Sequence, residues 1–155
     1  MSNDSRTPPP ITNEQIAAYT ATNYEVALPG GAIAVIRIGQ PLPEALQSEL
    51  GAGHSVSVVT AWNPFSTQLD KEVNEARNAT LQSDLGKRGL RSLDGRGVGA
   101  DPKWEPEESF AVLDADRATL DALLVDHGQN AVVHVPTGGL AELVFHPYAP
   151  RPPAT

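Results

Sequence analysis

Short apolar runs alternate with helical patterns along this chain, and glycine or proline punctuates the changes, which limits the folds open to it. Four of the runs, with one helix between the members of each pair, predict two β-α-β units, within Ala32–Ala61 and Ser109–Val135. We therefore expect an α+β fold, with one mixed β-sheet and helices packed mainly on one face. The predicted helices are Thr12–Thr20, Pro43–Leu50, Thr67–Leu85 and Asp116–Asp126, and the predicted strands are Tyr24–Leu28, Ala32–Ile38, Ser55–Ala61, Ser109–Leu113, Ala131–Val135 and Leu140–Phe145.

The length of 155 residues is typical of a single domain with its own core. Prolines crowd both ends of the chain, where they prevent regular helix or ladder formation. We expect disordered tails at 1–10 and 147–155 and one folded domain at 11–146. The first tail has no apolar segment of the kind a signal peptide needs, so a cytoplasmic location is expected.

The composition excludes several function classes. No cysteine is present, which removes disulfide scaffolds, thiol nucleophiles and cysteine-bound zinc. The net charge of −8 disfavours binding to nucleic-acid phosphates, and no apolar run is long enough for a membrane span. The four histidines lack metal-ligand spacing, and no nucleotide-binding glycine motif is present, so we expect neither a metal nor a cofactor.

The first candidate site is Trp62-Asn63-Pro64-Phe65-Ser66, between a predicted strand and a predicted helix. Free backbone N–H groups at such a junction suit an anionic or polar ligand, which Asn63 and Ser66 would contact. The alternative is structural, with Asn63 forming a turn, Ser66 capping the following helix and the aromatic rings filling the core.

The second candidate lies on the longest predicted helix. Helical periodicity places Asn74 and Asn78 on one stripe with Leu81 and Leu85. Asparagine is a poor helix former, so two of them on a core-side stripe need partners. We favour hydrogen bonds to irregular backbone in Gly86–Glu108, and contact with a ligand is the alternative.

The third candidate is Trp104–Ser109, where three carboxylates within four positions could bind a hard cation or act as an acid–base pair, and a solvated loop edge is the alternative. It follows the irregular stretch Gly86–Glu108, which is too long for an ordinary connection. That stretch predicts a functional loop or lid with at most one strand near Leu90–Leu93. Strand alternation makes Glu108 the expected inward carboxylate at its end. Gln129 follows Gly128, the expected left-handed residue after the last helix.

These motifs together resemble a family of small bacterial proteins catalogued as a domain of unknown function. The resemblance covers about residues 17–145, and it implies that Asn63, Asn74, Asn78 and Gln129 belong to one polar cluster. In that family a serine often follows the tryptophan-proline motif directly, whereas Glu107 and Glu108 intervene here. The segments that carry the resemblance are Ala61–Ser66, Asn74–Leu85, Trp104–Pro106 and Gly128–Ala131.

The leading functional hypothesis is a binding domain for a small polar ligand or peptide, because amides dominate the candidate residues and supply no acid, base or nucleophile. A hydrolase or transferase, with Glu108 as base and Asn63 near an oxyanion, is the first alternative. The second is an acidic interaction or inhibitor module that binds a basic protein through Asp101–Asp126, where much of the negative charge lies.

Overall fold

A computed structural model of the protein describes residues 8–151. Of the disordered tails predicted at 1–10 and 147–155, residues 1–7 and 152–155 lie outside the described residues. Near the described part of the second tail, the backbone N–H of Ile11 donates to the carbonyl oxygen of Pro150 at 2.8 Å. The helices are α1 (Asn13–Ala21), α2 (Glu44–Leu50), α3 (Lys71–Lys87) and α4 (Arg117–His127), and the strands are β1 (Asn23–Ala27), β2 (Ile33–Ile36), β3 (Val56–Val59), β4 (Ser92–Val98), β5 (Glu107–Leu113), β6 (Ala131–Val135) and β7 (Glu142–Phe145).

All seven strands form one sheet in the order β2-β1-β4-β5-β3-β6-β7. The α+β class is confirmed, but the predicted mixed sheet is wrong, because every neighbouring pair is antiparallel. The two β-α-β units are not confirmed either. In the second unit, α4 returns the chain to the direction of β5, but β3 lies between β5 and β6 and runs opposite to both.

The sheet curls into a half-barrel, and its two edges meet at one end. The segment after β2 pairs with the segment before β7: the Gly39 N–H donates to the Ala141 carbonyl, and the Ala141 N–H donates to the Gln40 carbonyl, both at 2.8 Å. The curled sheet therefore has an inner face and an outer face with separate cores.

The inner core contains side chains from the strands together with Leu46 of α2. The outer core lies beneath α3 and α4, which contribute Leu81, Leu85, Leu120 and Leu124. Every residue of β3 is buried. None of the described helices is long and apolar enough to cross a membrane.

The stretch Gly86–Glu108, predicted as a loop or lid, instead contains β4 near the middle of the sheet. A Cβ atom at Gly95 would lie 2.3 Å from the carbonyl oxygen of Glu25, so only glycine allows this close approach of β4 to β1. Glycine normally weakens a strand pattern, which is why the sequence did not predict β4 in full. The irregular parts of the stretch are residues 88–91 and 99–106.

Helix α3 also begins later than predicted. A 3-10 turn occupies Pro64–Ser66, and Asp70 is the N-cap residue of α3. Ser66 therefore does not cap this helix. The predicted capping box of α1 is confirmed, since Thr12 and Gln15 exchange hydrogen bonds through side chain and backbone.

Candidate functional site

The turn after β3 is held in a costly backbone conformation. Asn63, Phe65 and Ser66 have φ values of 44°, 51° and 62°, in the left-handed region that favours glycine. Such residues cost on the order of 1–3 kcal/mol each and persist only where their surroundings hold them. Three such residues within the four positions 63–66 therefore require strong support from the rest of the fold.

Asn74 of α3 provides part of this support. Its Oδ1 accepts a hydrogen bond from the Asn63 N–H at 2.8 Å, and its Nδ2 donates to Asn63 Oδ1 at 2.8 Å. Asn63 Oδ1 also accepts from the N–H of Leu69 at 3.0 Å, while Asn74 Nδ2 also donates to the Leu69 carbonyl at 3.2 Å. The buried Asn74 amide therefore joins both ends of the turn to α3.

Asn78, one turn later, joins the end of β3 to β5. Its Oδ1 accepts from the Ala61 N–H at 2.8 Å, and its Nδ2 donates to the Glu108 carbonyl at 2.9 Å. Both asparagines hydrogen-bond backbone groups, but the predicted source of those groups, irregular backbone in Gly86–Glu108, is wrong for Asn74. Only the Glu108 carbonyl comes from the stretch expected to provide those partners, and the others lie between residues 61 and 69.

The end of α4 packs against the same turn. Gln129 Nε2 donates to the carbonyls of Trp62 and His127 at 3.3 and 3.2 Å. The Phe65 N–H donates to the carbonyl of Gly128 at 2.8 Å. Gly128 is left-handed, as predicted, with φ at 63°.

Arg77 of α3 also joins the end of β3 to the end of α4. Its Nε donates to the Ala61 carbonyl and its terminal nitrogen to the His127 carbonyl, both at 2.8 Å. The predicted cluster of Asn63, Asn74, Asn78 and Gln129 is thus one hydrogen-bonded network around the turn.

Glu107, not Glu108, is the carboxylate of this network. Glu107 is half-buried, and its Oε2 accepts a hydrogen bond from Asn63 Nδ2 at 3.1 Å. The side chain of Glu108 is exposed. The prediction of Glu108 as the inward carboxylate is wrong because alternation along β5 places Glu108 on the face of Phe110, toward the helices, and Glu107 on the inner face with Ala111.

Two phenols lie near Glu107. Burial raises the pKa of the Glu107 carboxyl, and the hydrogen bond from Asn63 partly offsets this effect. Burial also raises the pKa of Tyr19, and the nearby Glu107 charge adds to it. The pKa of Tyr24 is raised by burial and then by Tyr19. Both phenols are therefore neutral near pH 7, and the Tyr24 hydroxyl donates to the Tyr19 carbonyl at 3.1 Å.

Asn130 and Ser66 complete the group. Asn130 Nδ2 donates to Ser66 Oγ at 3.2 Å. Asn130 is only 3% exposed, and its Oδ1 has no hydrogen-bond partner among residues 8–151. Burial raises the pKa of the Tyr19 phenol, and hydrogen bonding by the side chains of Asn130 and Ser66 partly offsets this effect. We call Tyr19, Ser66, Glu107 and Asn130, with Asn63, the turn-side cluster.

Sequence reasoning missed three members of the turn-side cluster: Tyr19, Glu107 and Asn130. The sequence did contain a pointer to Asn130, because this residue belongs to the Gly128–Ala131 motif. No sequence pattern pointed to Tyr19, since it lies in a helix with no buried residue. Its position depends on contacts with residues far away in the chain.

Two surface grooves lie outside the turn-side cluster. One of about 620 Å³ borders the Asp84–His127 pair, whose carboxylate oxygen and ring nitrogen are 2.9 Å apart. The other, of about 350 Å³, lies between α3 and the β4–β5 strands and includes Glu75, Asp94 and Glu108. Among residues 8–151, no group of three or more histidine, aspartate or glutamate side chains is placed to hold a metal ion.

Residues 59–132 match the model of a family described as "Protein of unknown function (DUF3293)". This confirms the resemblance to a family of unknown function over the segment that holds the strained turn, α3 and the end of α4. No curated protein and no solved structure matches the chain.

Proposed function

We propose that this protein binds a small polar ligand at the turn-side cluster, beside the end of β3. The observation that carries the proposal is the Oδ1 of Asn130, a buried acceptor next to the exposed Ser66 that has no partner in the described part of the chain. Leaving such a group unpaired costs about 1–3 kcal/mol. A ligand that donates a hydrogen bond to Asn130 would recover this energy.

The predicted site residues divide into two roles under this proposal. Asn74, Asn78 and Gln129 are engaged with backbone groups, so they position the turn and do not contact the ligand. Ser66 keeps its predicted role as a contact residue, and Asn130 and Glu107 join it. Asn63 orients Glu107 through its Nδ2 atom.

The strained backbone supports the same location. Three left-handed residues other than glycine destabilise the fold without adding to either core. Strain of this kind concentrates at ligand sites, where it holds side chains ready for contact. The proposed role of this strain is to hold Ser66 next to Asn130.

Covalent chemistry with Glu108 as base has less support. Its exposed side chain lies on the face toward the helices, whereas Glu107 contacts Asn63. The Asn63 N–H, which an oxyanion would need, already donates to Asn74. Recognition of a ligand therefore explains the arrangement better than hydrolysis or group transfer.

A thermal-shift screen against amines, amino acids, sugars and nucleotides tests this proposal. A ligand at about 100 times its dissociation constant should raise the midpoint by roughly 5–10 °C for a domain of this size. The shift should disappear in Asn130→Ala and in Ser66→Ala, each compared with its own unliganded midpoint. Thr80→Ala, an exposed hydroxyl on α3, is the control.

A ligand shift that persists unchanged in both variants would overturn the proposed site. If no compound shifts the midpoint, the proposal fails, and a basic protein that binds the acidic segment Asp101–Asp126 becomes the better hypothesis.

A further inference from the structure

Strand β2 lies at one edge of the sheet, and its pairing with β1 leaves a row of backbone groups directed away from the sheet. In this ladder the Leu28 N–H donates to the Ala32 carbonyl at 2.9 Å. Hydrogen-bonded pairs alternate along an antiparallel ladder, so Ala34 directs its backbone groups to β1, whereas Ile33 and Val35 direct theirs outward. Outside the ladders, no backbone hydrogen bond among residues 8–151 engages Ile33 or Val35.

The side chains of β2 make this edge apolar. Ile33 and Val35 are 54% and 40% exposed, whereas Ala34 and Ile36 are buried in the inner core. The strand contains no charged residue and no proline, and its register with β1 is continuous, without a bulge. Charges, prolines and bulges are the features that normally keep an edge strand from pairing with another chain. Strand β2 has none of them.

Strand β7, at the opposite edge of the sheet, differs in this respect. It begins at the exposed Glu142. At its other end, the guanidinium carbon of Arg151 lies 5.0 Å from the centre of the Phe145 ring. The β7 edge therefore carries a charged group at each end, whereas an added strand at β2 meets no charge on the edge strand itself.

The tails of this chain do not match the β2 edge. Residues 1–7 contain Met1 as their only apolar residue, and residues 152–155 begin with two prolines, which cannot donate to a ladder. Neither tail therefore offers the alternating apolar side chains that would match Ile33 and Val35.

A second copy of β2 does match this edge, because the strand is complementary to itself under a two-fold rotation. Antiparallel pairing centred on Ala34 sets Ile33 of each copy opposite Val35 of the other. These are the residues whose backbone groups point outward, so both pairs can exchange hydrogen bonds while their apolar side chains meet on the outer face.

Charge on the neighbouring strand does not oppose this pairing. Glu25 is the β1 residue opposite Val35, and Arg96 neutralises its carboxylate at 2.9 Å. Two copies that pair through β2 therefore bring no unpaired carboxylate of β1 next to the contact.

We propose that this protein forms a two-fold symmetric dimer in which the β2 strands of two copies pair in antiparallel fashion. The pairing joins the two sheets into one continuous sheet and covers Ile33 and Val35. This inference is independent of the ligand proposed for the turn-side cluster.

Sedimentation velocity from about 1 µM to about 1 mM tests the dimer. The unaltered protein should sediment as a monomer at the low end and approach twice its mass at the high end, because two hydrogen-bonded residue pairs form a small interface. Val35→Lys places a charge opposite Ile33 of the other copy and should stay monomeric throughout. Val73→Lys, which alters a valine that is 46% exposed on α3, is the control and should dimerise normally.

Single cysteine variants test the register, because the chain has no cysteine of its own. A mixture of Ile33→Cys and Val35→Cys should form a disulfide between the two variants, since Cα atoms of such a pair lie about 5.5 Å apart. Each variant alone should cross-link far more slowly, because its two cysteines lie on a diagonal of roughly 7–8 Å. Both side chains are exposed, and unfolding midpoints verify that each variant is folded.

Several results would overturn the inference. A monomer at every concentration would show that β2 does not pair with a second copy. Equal association of Val35→Lys and the unaltered protein would assign the contact to another surface, and equal cross-linking of the mixture and the single variants would contradict the register. If only a variant that lacks residues 1–7 dimerises, the N-terminal tail occupies the edge instead.

Discussion

The side-chain amide of Asn74 is hydrogen-bonded to both the backbone N–H and the side-chain oxygen of Asn63, each at 2.8 Å. One amide on a regular helix therefore holds a residue whose backbone is in the left-handed region. The same Asn63 then directs its own Nδ2 to Glu107. Helix α3 thus holds the residue that donates a hydrogen bond to a carboxylate on β5.

Replacing Asn74 should destabilise the fold strongly. Asn74→Leu removes an acceptor and a donor at once and leaves the Asn63 N–H without its partner. We expect a loss of about 2–3 kcal/mol in the free energy of unfolding, measured by denaturant titration. Gln82→Leu, which alters an exposed amide on the same helix, should stay within about 0.5 kcal/mol.

Asn78→Leu should also cost well above 1 kcal/mol, because leucine cannot satisfy the Ala61 N–H and the Glu108 carbonyl. The same titration and the same Gln82→Leu control apply. A change within about 0.5 kcal/mol would contradict the bracing role of this amide.

Gly128→Ala should separate backbone strain from packing. Gly128 and Gly138 share left-handed φ values of 63° and 71°, but only at Gly128 would a Cβ meet the turn, 3.2 Å from Pro64 Cβ and 3.3 Å from Phe65 Cε2. Gly138→Ala should cost about 1–2 kcal/mol for strain alone. A larger loss for Gly128→Ala, from thermal unfolding, would confirm that α4 packs tightly against the turn, and equal losses would contradict it.

Gly95→Ala should be far more damaging than Gly97→Ala in the same strand. The new Cβ at Gly95 would overlap the Glu25 carbonyl oxygen at 2.3 Å, whereas at Gly97 the nearest atom is at 3.6 Å. We expect a loss of about 3 kcal/mol or more for Gly95→Ala, or failure to fold. Expression level and circular dichroism distinguish these results, and similar stability of both variants would show that β4 tolerates displacement.

The pKa of Glu107 should respond to Asn63. Because burial raises this pKa in the folded protein, the stabilising contribution of Glu107 is fully present below the pKa of the unfolded chain and is lost as pH rises through the folded pKa. Asn63→Gly suits the left-handed backbone but removes the hydrogen bond to Glu107, so it should raise the Glu107 pKa further. Carboxyl NMR titration checks this, and a lower pKa in the variant would contradict the assigned contact.

Sequence reasoning succeeded where the cause is local. The Thr12–Gln15 capping box, the left-handed Gly128 and the shared stripe of Asn74 and Asn78 all depend on residues within three turns of helix. Helical periodicity even predicted that the two asparagines need backbone partners. The partners themselves were only partly predicted, since they come from a turn whose path the periodicity does not specify.

Sequence reasoning failed where the position of a residue depends on a distant segment of the chain. The choice between Glu107 and Glu108 follows from where β5 enters the sheet, and β4 exists because β1 approaches Gly95 closely. Secondary-structure propensities predict neither effect, since glycines and consecutive glutamates are typical of loops.

The sequence by itself determined the α+β class, most of the helices and strands, and the buried stripe of asparagines, because patterns within a few residues set these features. Only the tertiary structure decided the antiparallel strand order, and only it brought Tyr19, Ser66, Glu107 and Asn130 together. These four residues come from different elements and connections far apart in the chain. Their meeting depends on how the sheet curls and where α3 and α4 pack against it, which no local pattern encodes.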